Sequence, residues 1–138
     1  HVDGAPLDMS FSGLKTAVVN LAHNAQQKGE PLDEPALARD FTQAVSDELT
    51  ERAALALEQT GRTVLVAAGG VAANSIIRAD LQRLCEKRGV KLYLPPLKWC
   101  GDNGAMIGAQ GYYEYMSGVR GDMTLNGYAT MELDDVRF

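Results

Sequence analysis

Apolar residues recur at helical spacing in four stretches of the chain, which predicts four amphipathic helices. Each stretch opens on a residue that favours a helix N-terminus, and the first three are followed by glycine. The expected bounds are Ser10 or Ser12 to Gly29, Asp33 to about Gln59, Asn74 or Ser75 to Gly89, and Asp102 or Asn103 to about Met116. The polar face of the second helix is interpreted as solvated, with no partner for its carboxylates.

Two short β-prone runs, Thr63 to Val66 and Val90 to Leu94, flank the third helix. A strand, a helix and a second strand predict a right-handed βαβ unit with parallel strands. Ligands of parallel sheets bind at the carboxyl ends of the strands. The loop at Gly69-Gly70 and the loop from Pro95 to Asp102 are therefore expected on the same rim. Near the C-terminus, apolar residues alternate with polar ones at Ala129, Met131 and Leu133, which is compatible with a short edge strand.

Two positions on this rim have two interpretations each. Gly69 and Gly70 would let a ligand approach the backbone beside the free N–H groups of a helix N-terminus. The doublet also fits an ordinary tight turn, because it is less specific than a full G-x-G-x-x-G fingerprint. Asp102 fits a plain N-cap, which the pattern alone favours, or one oxygen ligand of a metal.

Composition indicates a globular α/β domain that belongs to a larger body. The chain has 138 residues, 46% hydrophobic and 22% charged, with a net charge of −5. Acidity argues weakly against a nucleic-acid surface on this segment itself. Cys85 and Cys100 lack the spacing of a disulfide framework, so a reducing cytoplasm is expected. The sequence shows neither an apolar run long enough to span a membrane nor a signal-peptide pattern, so no membrane contact is expected. The small parallel sheet and the start at His1 suggest a piece of a longer protein.

Several catalytic classes lack their motifs here. The only histidines, His1 and His23, do not form H-E-x-x-H, and neither G-x-x-x-x-G-K-[ST] nor G-x-S-x-G occurs. The residues alone therefore indicate a nucleotide- or phosphate-adjacent domain without a complete catalytic apparatus.

Three sequence motifs, in this order along the chain, resemble those of a known family. They are Ser10–Thr16 (SFSGLKT), Ala68–Asn74 (AGGVAAN) with Arg78 after it, and Cys100–Ile107 (CGDNGAMI). Together they closely resemble the C-terminal part of the tRNA threonylcarbamoyladenosine transferase family, formerly called O-sialoglycoprotein endopeptidase or glycoprotease. The resemblance covers residues from about 7 to 118.

The resemblance implies an actin-like ATPase fold of the sugar kinase and Hsp70 superfamily. Residues 1–138 would be part of the C-terminal lobe, with 119–138 as a tail. The family transfers a threonylcarbamoyl group from its adenylate to the N6 amine of the adenosine next to the anticodon. By resemblance, Gly69, Gly70 and Asn74 bind the nucleotide or acyl-adenylate, and Asp102 is a ligand of one divalent metal, iron or zinc. No catalytic residue is assigned.

The resemblance also implies partners and leaves gaps. The family acts on tRNA and works beside a paralogous non-catalytic subunit and an ATPase. Its other metal ligands form a His-x-x-x-His pair that is not in this chain, and Gly101 stands where the family usually has threonine. The fragment is therefore expected to be inactive alone, and an exposed interlobe face could make it self-associate. The alternatives are a metal-dependent O-sialoglycoprotein endopeptidase and a nucleotide-binding or assembly module only.

Overall fold

The computed structural model describes residues 5–127 and 129–130, and over these ranges the protein is α/β. The elements are α1 (Ser12–Lys28), α2 (Glu34–Thr60), β1 (Val64–Val66), a 3₁₀ turn (Gly70–Ala73), α3 (Ser75–Arg88), β2 (Lys91–Tyr93), a second 3₁₀ turn (Leu97–Trp99) and α4 (Gly104–Met116). Four helices and a small parallel sheet are thus confirmed. Most of the possible edge strand near the C-terminus, including Met131 and Leu133, lies outside the described residues.

The chain divides into two compact units. The first ends at Gly101 and contains α1, α2, α3 and both strands, whereas the second begins at Asp102 and contains α4. None of the helices in the described ranges is both long and apolar enough to cross a membrane.

Capping residues fix the ends of α2 as the sequence indicates. The Asp33 carboxylate accepts a hydrogen bond from the backbone N–H of Ala36 at 3.0 Å, and Pro35 lies in the first turn. Gly61 has a φ of 64° and donates its N–H to the carbonyl oxygen of Leu57, which satisfies one of the last free carbonyls.

The serine cap predicted for α1 is wrong. The N-cap residue is Phe11, whose side chain makes no capping hydrogen bond. Because helical geometry begins at Ser12, neither Ser10 nor Ser12 stands one residue before the helix, where a hydroxyl could accept from its first N–H groups. Ser12 instead accepts from the Thr16 hydroxyl through its carbonyl oxygen, at 2.9 Å.

The two strands pair in parallel, as predicted, with Leu65 opposite Leu92. These two leucines are half-buried, and α3 packs against β2 and α2. Successive strand residues point to opposite faces. Val64, Val66 and Tyr93 accordingly lie on the other face, where 47%, 67% and 48% of each residue is exposed. Over the described residues, one face of the sheet is covered by helices and the other is open.

The core of the first unit lies between α2, α3 and the strands. Leu57 from α2 and Ile77, Leu81 and Cys85 from α3 are its buried apolar side chains. Burial raises the pKa of the Cys85 thiol, because the thiolate would lose its hydration. Cys85 is thus a small core residue, as its position in the apolar stripe of the third helix predicts.

A polar cluster links α2 to α3, and the sequence analysis missed it. The buried Asp80 carboxylate accepts from the Ser46 hydroxyl at 2.6 Å and from the Gln43 amide at 3.0 Å, and it pairs with Arg83. Gln43 also donates to Asp47 at 2.8 Å. The polar face of α2 is therefore not simply solvated, since two of its members are tied to this cluster.

Candidate functional site

The carboxyl ends of β1 and β2 lie side by side, which puts the two following loops at one edge of the sheet. The backbone N–H of Ala67 donates to the carbonyl oxygen of Tyr93 at 3.1 Å and continues the pairing past β1. We call residues 67–74 the first rim loop and residues 94–100 the second rim loop. Their common edge confirms the predicted rim as far as Cys100.

The two glycines of the first rim loop differ in backbone conformation. Gly69 has φ 90° and ψ 172°, a region that essentially only glycine occupies. Gly70 opens the 3₁₀ turn with no positive φ. A Cβ built at either position would meet no described atom within 4 Å. The backbone here is open to close approach, and at Gly70 the described chain gives no steric reason for glycine.

Asn74 is the N-cap of α3. Its Oδ1 accepts from the N–H groups of Ile76 at 3.0 Å and Ile77 at 3.3 Å. Asn74, rather than Ser75, is therefore the cap. These two N–H groups at the N-terminus of α3 are consequently bonded to Asn74 and are not available to an anionic ligand. The Asn74 Nδ2 group donates to none of the described residues and is the polar group that this cap leaves for a ligand.

The Arg78 guanidinium joins the two rim loops. Nη1 donates to the carbonyl oxygen of Ala72 at 2.8 Å, and Nη2 donates to the carbonyl oxygen of Pro95 at 3.1 Å. Nη1 also lies 3.8 Å from the Sγ of Cys100, which is only 3% exposed. The sequence analysis named Arg78 only as the residue that follows the Ala68–Asn74 motif and assigned it no role. The available signal was its place in the first turn of α3, next to the cap.

An apolar cavity of about 320 Å³ lies behind the first rim loop. Its walls come from α2, β1, the first rim loop, α3 and the segment before α1, including Leu49, Leu65, Val71, Ile77 and Met9. Arg52 is the charged residue of its lining and pairs with Glu48 at 3.0 Å. The sequence did not indicate this cavity, because its walls come from elements far apart along the chain.

Asp102 lies at the start of the second unit and is exposed. The N-cap of α4 is Asn103, whose Oδ1 accepts from the N–H of Met106 at 3.1 Å. The interpretation of Asp102 as a plain cap is therefore wrong.

The described residues do not by themselves form a metal site. They include no group of three or more histidine, cysteine, aspartate or glutamate side chains that could hold a metal ion. Asp102 offers one carboxylate, whereas a bound divalent metal needs several donors. The assignment of Asp102 as a metal ligand stays a prediction.

The family model and the curated relatives that match this chain all belong to one family. Residues 2–109 match the family model described as TsaD, tRNA N6-adenosine threonylcarbamoyltransferase. Proteins of that name from Staphylococcus saprophyticus and Ligilactobacillus salivarius are 44% and 48% identical to the chain over 96% and 92% of its length. The chain spans 39% and 37% of these two curated relatives.

A relative of the same name from Staphylococcus aureus strain Newman is 40% identical over 134 residues, which is 97% of the chain. The residues matched by the family model include both rim loops, Arg78 and Asp102. The chain belongs to the tRNA N6-adenosine threonylcarbamoyltransferase family.

Proposed function

We propose that this chain is part of the C-terminal lobe of an enzyme that transfers a threonylcarbamoyl group from threonylcarbamoyl-adenylate to the N6 amine of the tRNA adenosine next to the anticodon. The observation that carries the proposal is the first rim loop in a chain of this family. It combines an open glycine backbone, a capped helix N-terminus and a spare amide donor at the carboxyl edge of parallel strands.

Three residues of the first rim loop have roles in this proposal. Gly69 and Gly70 let the adenylate lie against the backbone, since no side chain projects there. The Nδ2 group of Asn74 donates to an oxygen or ring nitrogen of the nucleotide. Because the Asn74 Oδ1 is held by two N–H groups of α3, the amide is oriented before the ligand arrives, which lowers the entropic cost of binding.

Asp102 contributes one ligand of a divalent metal, iron or zinc, in the complete protein. Support comes from the exposed Asp102 carboxylate at the start of the second unit, since Asn103 and not Asp102 caps α4. The described residues do not fit a complete metal site by themselves, so the remaining ligands have to come from outside them. When bound, the metal would supply a positive charge for carbamoyl or phosphate oxygens.

The wider architecture and the partners belong to the same proposal. We infer an actin-like ATPase fold, of which residues 1–138 form part of one lobe and residues 119–138 a tail. The open face of the sheet supports a missing neighbour, because parallel sheets are normally covered on both faces. The substrate would be tRNA, and a paralogous non-catalytic subunit and an ATPase would assist. The names of the relatives do not favour the endopeptidase reading.

Reconstitution tests the proposed reaction. The full-length protein, its partner proteins, ATP, threonine, bicarbonate and tRNA should yield threonylcarbamoyladenosine, detected by mass spectrometry of the digested nucleosides. Asp102→Ala should abolish the product, whereas Asp40→Ala, which removes an exposed carboxylate from α2, should leave it unchanged. If the wild-type mixture makes no modified nucleoside, the proposed function is wrong.

A further inference from the structure

We propose that Arg78 is a positioning residue that sets the separation of the two rim loops and thereby the geometry of the nucleotide site. The inference rests on the proposed function for the identity of the ligand. It goes beyond that function by assigning a role to a residue that need not touch the ligand.

The guanidinium of Arg78 bridges the two rim loops. The guanidinium uses two different nitrogens for two carbonyl oxygens, Ala72 in the first rim loop and Pro95 in the second. A planar guanidinium holds its donors at a fixed spacing, so both loops are fixed together. The backbone hydrogen bond from the N–H of Ala67 to the carbonyl oxygen of Tyr93 also links the two segments at this edge.

The hydrogen bonds of Arg78 restrain residues in both rim loops. Ala72 is 5% exposed and lies between Gly70 and Asn74. Holding its carbonyl oxygen therefore restrains the 3₁₀ turn that joins the open glycines to the capping amide. On the other loop, Pro95 and the buried Cys100 lie just before Asp102 in the chain. Among the described residues of the first unit, Arg78 donates to both rim loops and thereby couples the proposed nucleotide-binding loop to the loop that precedes Asp102 in the chain.

The variant Arg78→Met removes both hydrogen bonds to the rim-loop carbonyls and the contact with the Sγ of Cys100, but it keeps most of the aliphatic stem. In the full-length protein we expect its affinity for ATP, measured by calorimetry, to fall about tenfold, which corresponds to about 1.4 kcal/mol. Arg88→Met is the matched control. It removes a charge from the other end of α3, where Arg88 faces Glu58 at 3.9 Å, and should leave ATP affinity unchanged.

Thiol labelling separates loop movement from general unfolding. Cys100 is the last residue of the second rim loop, with its Sγ 3.7 Å from the carbonyl oxygen of Pro96, whereas Cys85 lies in the core and is 2% exposed. In Arg78→Met, Cys100 should react with iodoacetamide about tenfold faster, while Cys85 should stay protected. Peptide mass spectrometry distinguishes the two cysteines. Equal acceleration at both would indicate a merely structural role and overturn the proposal.

A lysine variant keeps the proposal testable if Arg78→Met does not fold. A lysine ammonium is a point donor and cannot reproduce the two-nitrogen link, so Arg78→Lys should lose about threefold in ATP affinity and label faster at Cys100. Unchanged affinity and unchanged labelling in a folded Arg78 variant would refute the positioning role. Failure of the wild-type protein to bind ATP would instead refute the proposed nucleotide site, while the labelling comparison would still decide whether Arg78 holds the loops.

Discussion

At the scale of single residues, Gly69 and Gly70 look equivalent in sequence but serve different needs. Gly69 adopts φ 90°, which an L side chain rarely takes, whereas Gly70 has an ordinary φ and open space where a Cβ would be. The backbone therefore explains the first glycine, and only a ligand or another part of the protein would explain the second.

Alanine at each position separates these two needs. Gly69→Ala should destabilise the fold by about 1–3 kcal/mol, the cost of holding alanine in a glycine-only region. Gly70→Ala should change stability by less than about 0.5 kcal/mol, yet weaken ATP binding by the full-length protein, since its methyl group would meet the ligand. Urea unfolding and calorimetry measure the two effects. Unchanged ATP affinity in Gly70→Ala would contradict close approach at that residue.

Asp80 provides a pH-dependent contribution to stability. The Ser46 hydroxyl, followed by Gln43 and Arg83, lowers the pKa of the Asp80 carboxyl from 3.8, against the opposing effect of burial. A carboxyl whose folded-state pKa is depressed stabilises the fold above the unfolded pKa, and this contribution disappears as pH falls through the folded value. The cluster should thus stabilise the α2–α3 contact at neutral pH and weaken in acid.

We expect Asp80→Asn to lower the free energy of unfolding at pH 7 by about 1–3 kcal/mol, because it weakens charge-assisted hydrogen bonds in a buried site. The difference from wild type should shrink progressively below about pH 4, as the wild-type carboxyl becomes protonated. Urea titrations across pH measure it, with Asp40→Asn on the exposed side of α2 as the control. A difference that stays constant from pH 7 to pH 2 would count against this role.

At the scale of elements, α3 connects the fold to the proposed site. Its N-terminus carries the capping Asn74 and the loop-linking Arg78, and its buried face supplies Ile77, Leu81 and Cys85 to the core. Its C-terminus ends at Gly89, whose φ is 66° and whose N–H donates to helix carbonyls. The helix is therefore fixed at both ends and along one face, and it holds the first rim loop in place.

Two substitutions at Asn74 distinguish capping from ligand binding. Asn74→Ala removes the acceptor for two N–H groups and should cost about 1 kcal/mol of stability as well as ATP affinity. Asn74→Asp keeps a good capping oxygen but replaces the Nδ2 donor with a negative oxygen, so stability should be retained while ATP binding weakens about tenfold or more. If Asn74→Asp binds ATP as tightly as wild type, the amide is a cap and not a ligand contact.

At the scale of the whole molecule, the described residues cover the sheet of the first unit on one face only. Val66 is 67% exposed and Val64 is 47% exposed on the open face. Burying apolar area stabilises by about 25 cal/mol per Å², so an uncovered face favours association with another surface. In the full-length protein we expect the remainder of the lobe to cover it, and in this chain alone a second copy would do so.

Sedimentation of the isolated chain at micromolar concentration should therefore reveal a dimer or larger species. Val66→Lys should shift it toward the monomer, because a lysine ammonium on the open face resists burial. Val19→Lys places the same charge at an exposed site on α1, where 56% of the valine is exposed, and should not have this effect. A monomeric wild-type chain would contradict self-association through this face.

The sequence by itself determined the helices, the parallel βαβ pairing and the family. The cap at Asp33, the stops at Gly61 and Gly89 and the apolar stripes are local signals, so helix ends were found to within a few residues. The serine cap of α1 failed because helical geometry begins at Ser12, so that the N-cap position falls on Phe11, which has no capping group, and local preference did not fix that register.

Only the tertiary structure decided how distant segments meet. The Asp80 cluster joins residues more than 30 positions apart, and Arg78 reaches a carbonyl 17 positions away. The one-sided cover of the sheet likewise depends on which face α2 and α3 occupy. Hydrogen-bond donors and acceptors are visible in a sequence, but their pairing is set by packing, which brings them within about 3 Å.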